Sequence, residues 1–159
     1  MRRDGFTLIE IMVVVGILSI VAMLTIPTFH SAGDEKKVAG AAQEIADALC
    51  YARSEAMKIG REYRVELVTA AEQVEVFDHQ ADTVVYHPTS KQLYRLTFGS
   101  EGIFAGVDLE SVNGGTGNFP LVFTADGRTS TDYVIALAYA GYEVKVFVNA
   151  LTGRVTTGP

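Results

Sequence analysis

From Ile11 to Phe29 the chain carries no charged residue, and apolar side chains succeed one another without leaving a polar face. Counted from Phe6, about 24 residues at about 1.5 Å each would reach roughly 36 Å, enough to cross a hydrocarbon layer with some tilt. The pattern predicts a membrane helix over residues 6–29. Pro27 lies near its outer end, where a missing backbone donor and a ring clash bend or interrupt a helix, and Gly33-Asp34 adds a second weak point. A bent or partly unwound junction is expected there.

Beyond the junction the pattern changes. Val38, Ala42, Ile45, Leu49, Ala52, Ala56 and Ile59 recur at alternating steps of four and three, the spacing of one apolar stripe on a helix. Lys36, Lys37, Gln43, Glu44, Asp47 and Lys58 occupy the other face, and Gly60 stands where a left-handed cap ends such a helix. Residues 30–60 are therefore predicted to form an amphipathic helix, too short a heptad run for a coiled coil, packed on a sheet.

After Gly60 the period drops to two. Tyr63, Val65 and Leu67 alternate with Glu62, Arg64 and Glu66, and a partner strand is expected over Gln73–Asp78. Shorter runs follow at Thr83–Tyr86, Leu93–Phe98 and Ile103–Val107, whereas 108–118, with its cluster Asn113-Gly114-Gly115-Thr116-Gly117-Asn118, reads as an exposed loop. Phe119–Thr124, Tyr133–Tyr139, Tyr142–Val148 and Arg154–Thr157 then predict a β-meander. The fold class implied is α+β: a long N-terminal helix on an antiparallel sheet or sandwich formed by residues 61–159, with a variable middle.

Charge and candidate chemistry narrow the function. A net charge of −6 opposes nucleic-acid binding unless cations cluster, and Lys36-Lys37, Arg61 with Arg64, and Arg95 are each diluted by neighbouring Asp or Glu. The one cysteine, Cys50, cannot close an internal disulfide and reads as a small buried hydrophobe. His79, Asp82 and His87 match no familiar metal spacing, and neither a Gly-x-Ser-x-Gly elbow nor a His-Glu-x-x-His helix is present. No catalytic residues, metal or cofactor are expected, and the chain does not read as an enzyme.

The exception to the apolar N-terminus is Glu10. A carboxylate in a membrane helix costs about 3 kcal/mol by insertion scales unless it finds a partner. Cleavage between Gly5 and Phe6 would supply one, because the new α-amine of Phe6 would stand one helical turn from Glu10. The pair can form within one chain or between neighbouring chains. A conventional secretory signal is the competing reading, but its apolar core is shorter, about 7–15 residues.

Basic Met1-Arg2-Arg3-Asp4, then Gly5-Phe6-Thr7-Leu8-Ile9-Glu10 and an apolar run, resembles the signal of type IV pilins and type II secretion pseudopilins, and Pro27 sits where many pilins bend. The helix end around Ala52-Arg53-Ser54-Glu55-Ala56 resembles the GspH/FimT group of minor pseudopilins. Phe123-Thr124-Ala125-Asp126-Gly127-Arg128 and Thr152-Gly153-Arg154-Val155 are similar to that group's closing turns. Arg53 lies beside the apolar stripe, where its fork could bond strand-end carbonyls or a carboxylate, or serve a subunit contact.

The resemblance implies a leader, residues 1–5, removed by a prepilin peptidase that methylates Phe6. It further implies a single-pass inner-membrane protein with a periplasmic C-terminal domain, whose 6–29 helix meets lipid, an assembly platform and the helices of other pilins. A minor pseudopilin of a type II secretion system is the reading it favours. A minor pilin of a type IV pilus, for assembly or DNA uptake, carries the same signature, and a membrane-anchored enzyme is the rival from another class.

Overall fold

The computed structural model describes residues 7–99 and 102–159, and for residues 23–32 the backbone alone. Two compact units divide at Asp34. Helix α1, Leu8–Ile59, contributes to both. Helical backbone is continuous through Pro27 and Gly33-Asp34, so the unwinding expected there does not occur.

In the unit from Glu35 onward, α1 buries Val38, Ala42, Ile45, Leu49, Ala52 and Ala56, and with them Ala41, Ala46 and Ala48. The added alanines broaden the stripe because small side chains let the sheets approach the helix. Two expectations fail on this helix. Ile59 is 41% exposed, in the last turn, where the covering sheets end. Cys50 is exposed, because it lies about 100° around the helix from buried Leu49 and faces the side of Gln43 and Asp47. Gly60, at φ 71°, ends the helix, with its N–H and that of Arg61 both donated to the Ala56 carbonyl.

The β structure forms two antiparallel sheets. The first runs β3-β2-β1-β6, from β1 (Tyr63–Val68), β2 (Gln73–Asp78), β3 (Thr83–Val84) and β6 (Asn118–Phe123), and β4 (Arg95–Thr97) also pairs β2. β3 and β4 flank successive parts of β2, so they are one edge line interrupted by an excursion of residues 85–94. The second sheet runs β5-β7-β8-β9, from β5 (Asp108–Val112), β7 (Tyr133–Tyr139), β8 (Tyr142–Val148) and β9 (Val155–Gly158). Alternation buries Tyr63, Val65 and Leu67 of β1 and Val146 and Val148 of β8, and these join the α1 stripe in one core.

Three expectations for the β region are corrected. Residues 108–112, read as loop, form β5, which buries Leu109 and Val112; a bulge between Leu109 and Ser111 breaks the alternation that would have revealed it. Residues 103–106, read as strand, form a turn between Gly102 and Gly106, both with positive φ, and leave Ile103 85% exposed. The third concerns β6, expected at the head of the C-terminal meander. It pairs with β1 in the other sheet, so the meander is β7-β8-β9 alone.

The 103–106 turn is seated on α1. Lys37 donates from Nζ to the Ala105 carbonyl at 2.6 Å and lies 4.1 Å from the centre of the Tyr139 ring. Gly40 leaves the space for Phe104, since a Cβ there would come within 2.9 Å of the ring.

Candidate functional site

At the start of α1, Thr7 acts as the cap. Its carbonyl accepts the N–H groups of Glu10 and Ile11, and its hydroxyl also accepts from Glu10 at 3.3 Å. This fixes Glu10 in the first turn, where a carboxylate is favoured by the helix dipole. Among the described residues the Glu10 carboxylate has no ion-pair partner. Around it the helix is apolar on every side: Leu8, Ile9, Leu18 and Ile20 are each more than 60% exposed, and Met12, Val13, Val15 and Ile17 more than half. Ser19 returns its hydroxyl to the Val15 carbonyl at 2.7 Å and so adds little polarity.

About 20 apolar residues are needed to span a membrane, more than the described side chains of Leu8–Ala22 supply. Among the described residues, accordingly, no helix is long and apolar enough to cross one. The Gly5–Phe6 bond and the Pro27 side chain lie outside the described residues.

The second constellation is at the other end of α1. Arg53 donates from Nε to the Gly127 carbonyl at 3.1 Å and from Nη2 to the Thr152 carbonyl at 2.8 Å. Gly127 belongs to the turn after β6, Thr152 to the turn after β8, so one guanidinium joins α1 to both sheets. Gly127 and Gly153 are buried and left-handed, at φ 77° and 60°. A Cβ on Gly153 would fall 1.8 Å from the Gly127 carbonyl oxygen and 2.7 Å from Arg53 Nε, and only glycine fits.

The turns are also held locally. Gly127 N–H donates to the Thr124 carbonyl at 2.8 Å, and the Thr124 hydroxyl bonds the Asp126 carboxylate. That bond, with Arg128 beside it, holds the Asp126 carboxyl below its ordinary range. Gly153 N–H donates to the Asn149 carbonyl at 2.8 Å.

The remaining motif residues stay outside this junction. Ser54 and Arg154 are exposed, Glu55 pairs with Lys58 at 3.0 Å, and Arg128 pairs with Asp126 at 3.1 Å. Sequence reasoning missed Met57, whose thioether packs against Gly127, and, within the closing turn it did single out, the part played by the Thr152 carbonyl, which takes half of the Arg53 fork. Neither position carries a local signal, since one works through bulk and the other through backbone.

The polar residues weighed for metal binding are used separately. His79 Nε2 lies 3.4 Å from Glu62, Asp82 pairs with Arg64 at 2.6 Å, and His87 caps its own loop. Among the described residues no His, Cys, Asp and Glu side chains group to hold a metal. Partial burial and the Asp47 carboxylate push the Cys50 thiol up, which favours the less reactive protonated form.

Residues 41–152, the stretch that holds Arg53, Gly127 and Thr152, match the family described as Type II transport protein GspH. The chain belongs to that family. Residues 1–26 match the Prokaryotic N-terminal methylation motif, so this GspH-family protein is of the pilin and pseudopilin type. Two solved structures are similar to it. The type IV minor pilin FimU of Pseudomonas aeruginosa (strain PAO1) has 19% identity and a TM-score of 0.56, over 78% of this chain and 90% of that chain. The minor pseudopilin EpsH from the Type 2 Secretion System of Vibrio cholerae has 13% identity and a TM-score of 0.59, over 76% and 95%. At these identities the likeness is one of fold, and that fold is α+β and pilin-like. No curated protein sequence matches the chain.

Proposed function

We propose that this GspH-family chain is a minor pseudopilin, a structural subunit of a type II secretion pseudopilus. The observation that carries the reading is the open apolar surface of α1 from Leu8 to Val21, in which Glu10 is the one charged residue. A surface so apolar requires a cover, and lipid before assembly and other pilin helices after it are covers of matching chemistry. In this reading a prepilin peptidase cuts after Gly5 and the amine of Phe6 is methylated. Residues 6–29 anchor the chain in the inner membrane with the remainder in the periplasm. Glu10 then meets the Phe6 amine of a neighbour, which sets the register of each incoming subunit at the assembly platform. The bend expected of Pro27 belongs to this anchor.

The same surface suits a minor pilin of a type IV pilus, and the comparable likeness to FimU and EpsH favours keeping that reading second. A DNA-uptake role gains little support from the cations in and beside the first sheet, since Arg61, Arg64 and Arg95 each face a carboxylate. Nothing in the geometry brings forward the membrane-anchored enzyme.

Mass spectrometry of the protein from native envelopes tests the core of the proposal. The expected product begins at methylated Phe6; one beginning at Met1, or beyond His30, would overturn it. Gly5→Leu is expected to block processing. Glu10→Ala is expected to be processed but left out of fibres, because a lone amine would stay in the apolar bundle. Gene deletion separates the two fibres: loss of secretion with pili intact supports the pseudopilus, and the reverse supports the pilus.

A further inference from the structure

The excursion between β3 and β4 is pinched at its base and clasped at its tip. At the base Val85 N–H donates to the Val76 carbonyl at 2.9 Å, Val76 N–H to Tyr94 at 3.1 Å, and Tyr94 N–H to Val85 at 2.7 Å. Tyr86 and Leu93 then bridge, His87 N–H donates to the Gln92 carbonyl at 2.7 Å, and Lys91 N–H to the His87 carbonyl at 3.1 Å. The half-buried His87 side chain bonds back into this tip. Its Nδ1 accepts the N–H groups of Thr89 and Ser90, each at 3.2 Å, and Pro88 between them and the histidine has no N–H to offer.

An imidazole nitrogen accepts only through its lone pair, so these bonds require a neutral ring with its proton on Nε2. In the imidazolium both nitrogens carry hydrogen, and Nδ1–H would point at two further N–H donors. The ring also lies 4.6 Å from Tyr94, which is 4% exposed and itself stands 5.2 Å from Tyr51 of α1. We propose that His87 is a proton-operated latch on the tip of the excursion: the neutral ring holds Thr89 and Ser90 and lies against Tyr94, and the protonated ring gives up both bonds and shifts against the Tyr94–Tyr51 pair.

The charged and titratable groups around the latch are Tyr86 and Lys91 in the loop and, beyond Tyr94, Tyr51, Glu44, Asp47 and Cys50 of α1. Burial, with Glu44 and Asp47, pushes the Tyr94 phenol up to about 12, so it stays neutral throughout. Histidine is the side chain whose ordinary titration falls between about pH 5 and 8. His79 offers an internal contrast, since a proton on it gains an ion pair with Glu62 rather than losing acceptor bonds.

The test is an NMR titration of the full chain in detergent micelles from pH 8 to 5. The Thr89 and Ser90 amide protons are expected to lose their hydrogen-bonded downfield shift at the midpoint of the His87 ring protons, with the Tyr94 and Tyr51 ring signals moving together with them. His87→Asn, whose side-chain oxygen accepts the same N–H groups at any pH, is expected to keep those amides in place across the range. His79→Asn is expected to leave the response unchanged. Amides that hold still while His87 titrates, that follow the midpoint of His79, or that respond equally in His87→Asn would each overturn the latch. The wild-type and His79→Asn titrations decide the matter even if His87→Asn folds poorly.

Discussion

The two halves of α1 are both rich in apolar side chains, yet Val38–Ala56 buries them in a core shared with two sheets while Leu8–Val21 leaves them open. The difference lies in arrangement rather than amount. Where apolar positions form a stripe, one domain can cover them and leave the polar face to water. Where they encircle the helix, no face is left for solvent, and cover has to come from other molecules. Under the proposed function, fold and assembly are thus written into one helix by the angular spread of the same residue types.

Substitutions can break this comparison. The largest expected effect is in the β-bearing unit: Gly153→Ala puts a Cβ into the Gly127 carbonyl at a left-handed φ and is expected to destabilise that unit by more than about 4 kcal/mol, read as loss of its thermal transition. A matched pair is the sharper test. Leu49→Ala, fully buried, is expected to cost about 3 kcal/mol in denaturant unfolding, whereas Leu18→Ala is expected to change unfolding by less than about 0.5 kcal/mol and to reduce incorporation into fibres. Equal losses of stability in the two would show that the first half is also covered within the chain.

Arg53→Ala removes a charged donor from two carbonyls and is expected to cost about 2 kcal/mol by the same measurement, with Arg53→Lys, which can reach only one of them well, falling between. The smallest effect concerns pH. Because the Asp126 carboxyl is held below its ordinary range in the folded protein, its contribution is present above the unfolded value and lost as pH falls through the folded one. The amide signals of Thr124 and Gly127 are expected to shift in that acid window in the wild type and not in Asp126→Asn.

Legibility in the sequence followed regularity. β1 and β8 are readable because alternation runs unbroken through Tyr63–Leu67 and Tyr142–Val148, and β2 and β7 because short apolar runs stand between turn residues. β5 was hidden because Asp108, Glu110 and Ser111 are polar, its bulge resets the register, and the glycines that follow suggest a loop. Ile103–Val107 misled in the opposite direction: its apolar residues serve a turn that plugs Phe104 against Gly40. Strands that follow one another in sequence commonly pair, but β6 crosses to β1. At the site, Arg53 is visible as a long cation flanking the buried Ala52. What local pattern cannot convey is that turns after β6 and after β8 converge on it, because that convergence is a product of both sheets closing on one helix.

The fork of Arg53 also has a mechanical meaning. A pull along the helix near Arg53 does not load one neighbour first; it is divided between the turn that closes one sheet and the turn that closes the other. That division works in parallel with the buried stripe of α1 and the Lys37–Ala105 bond, so a load on the helix there would reach both sheets together.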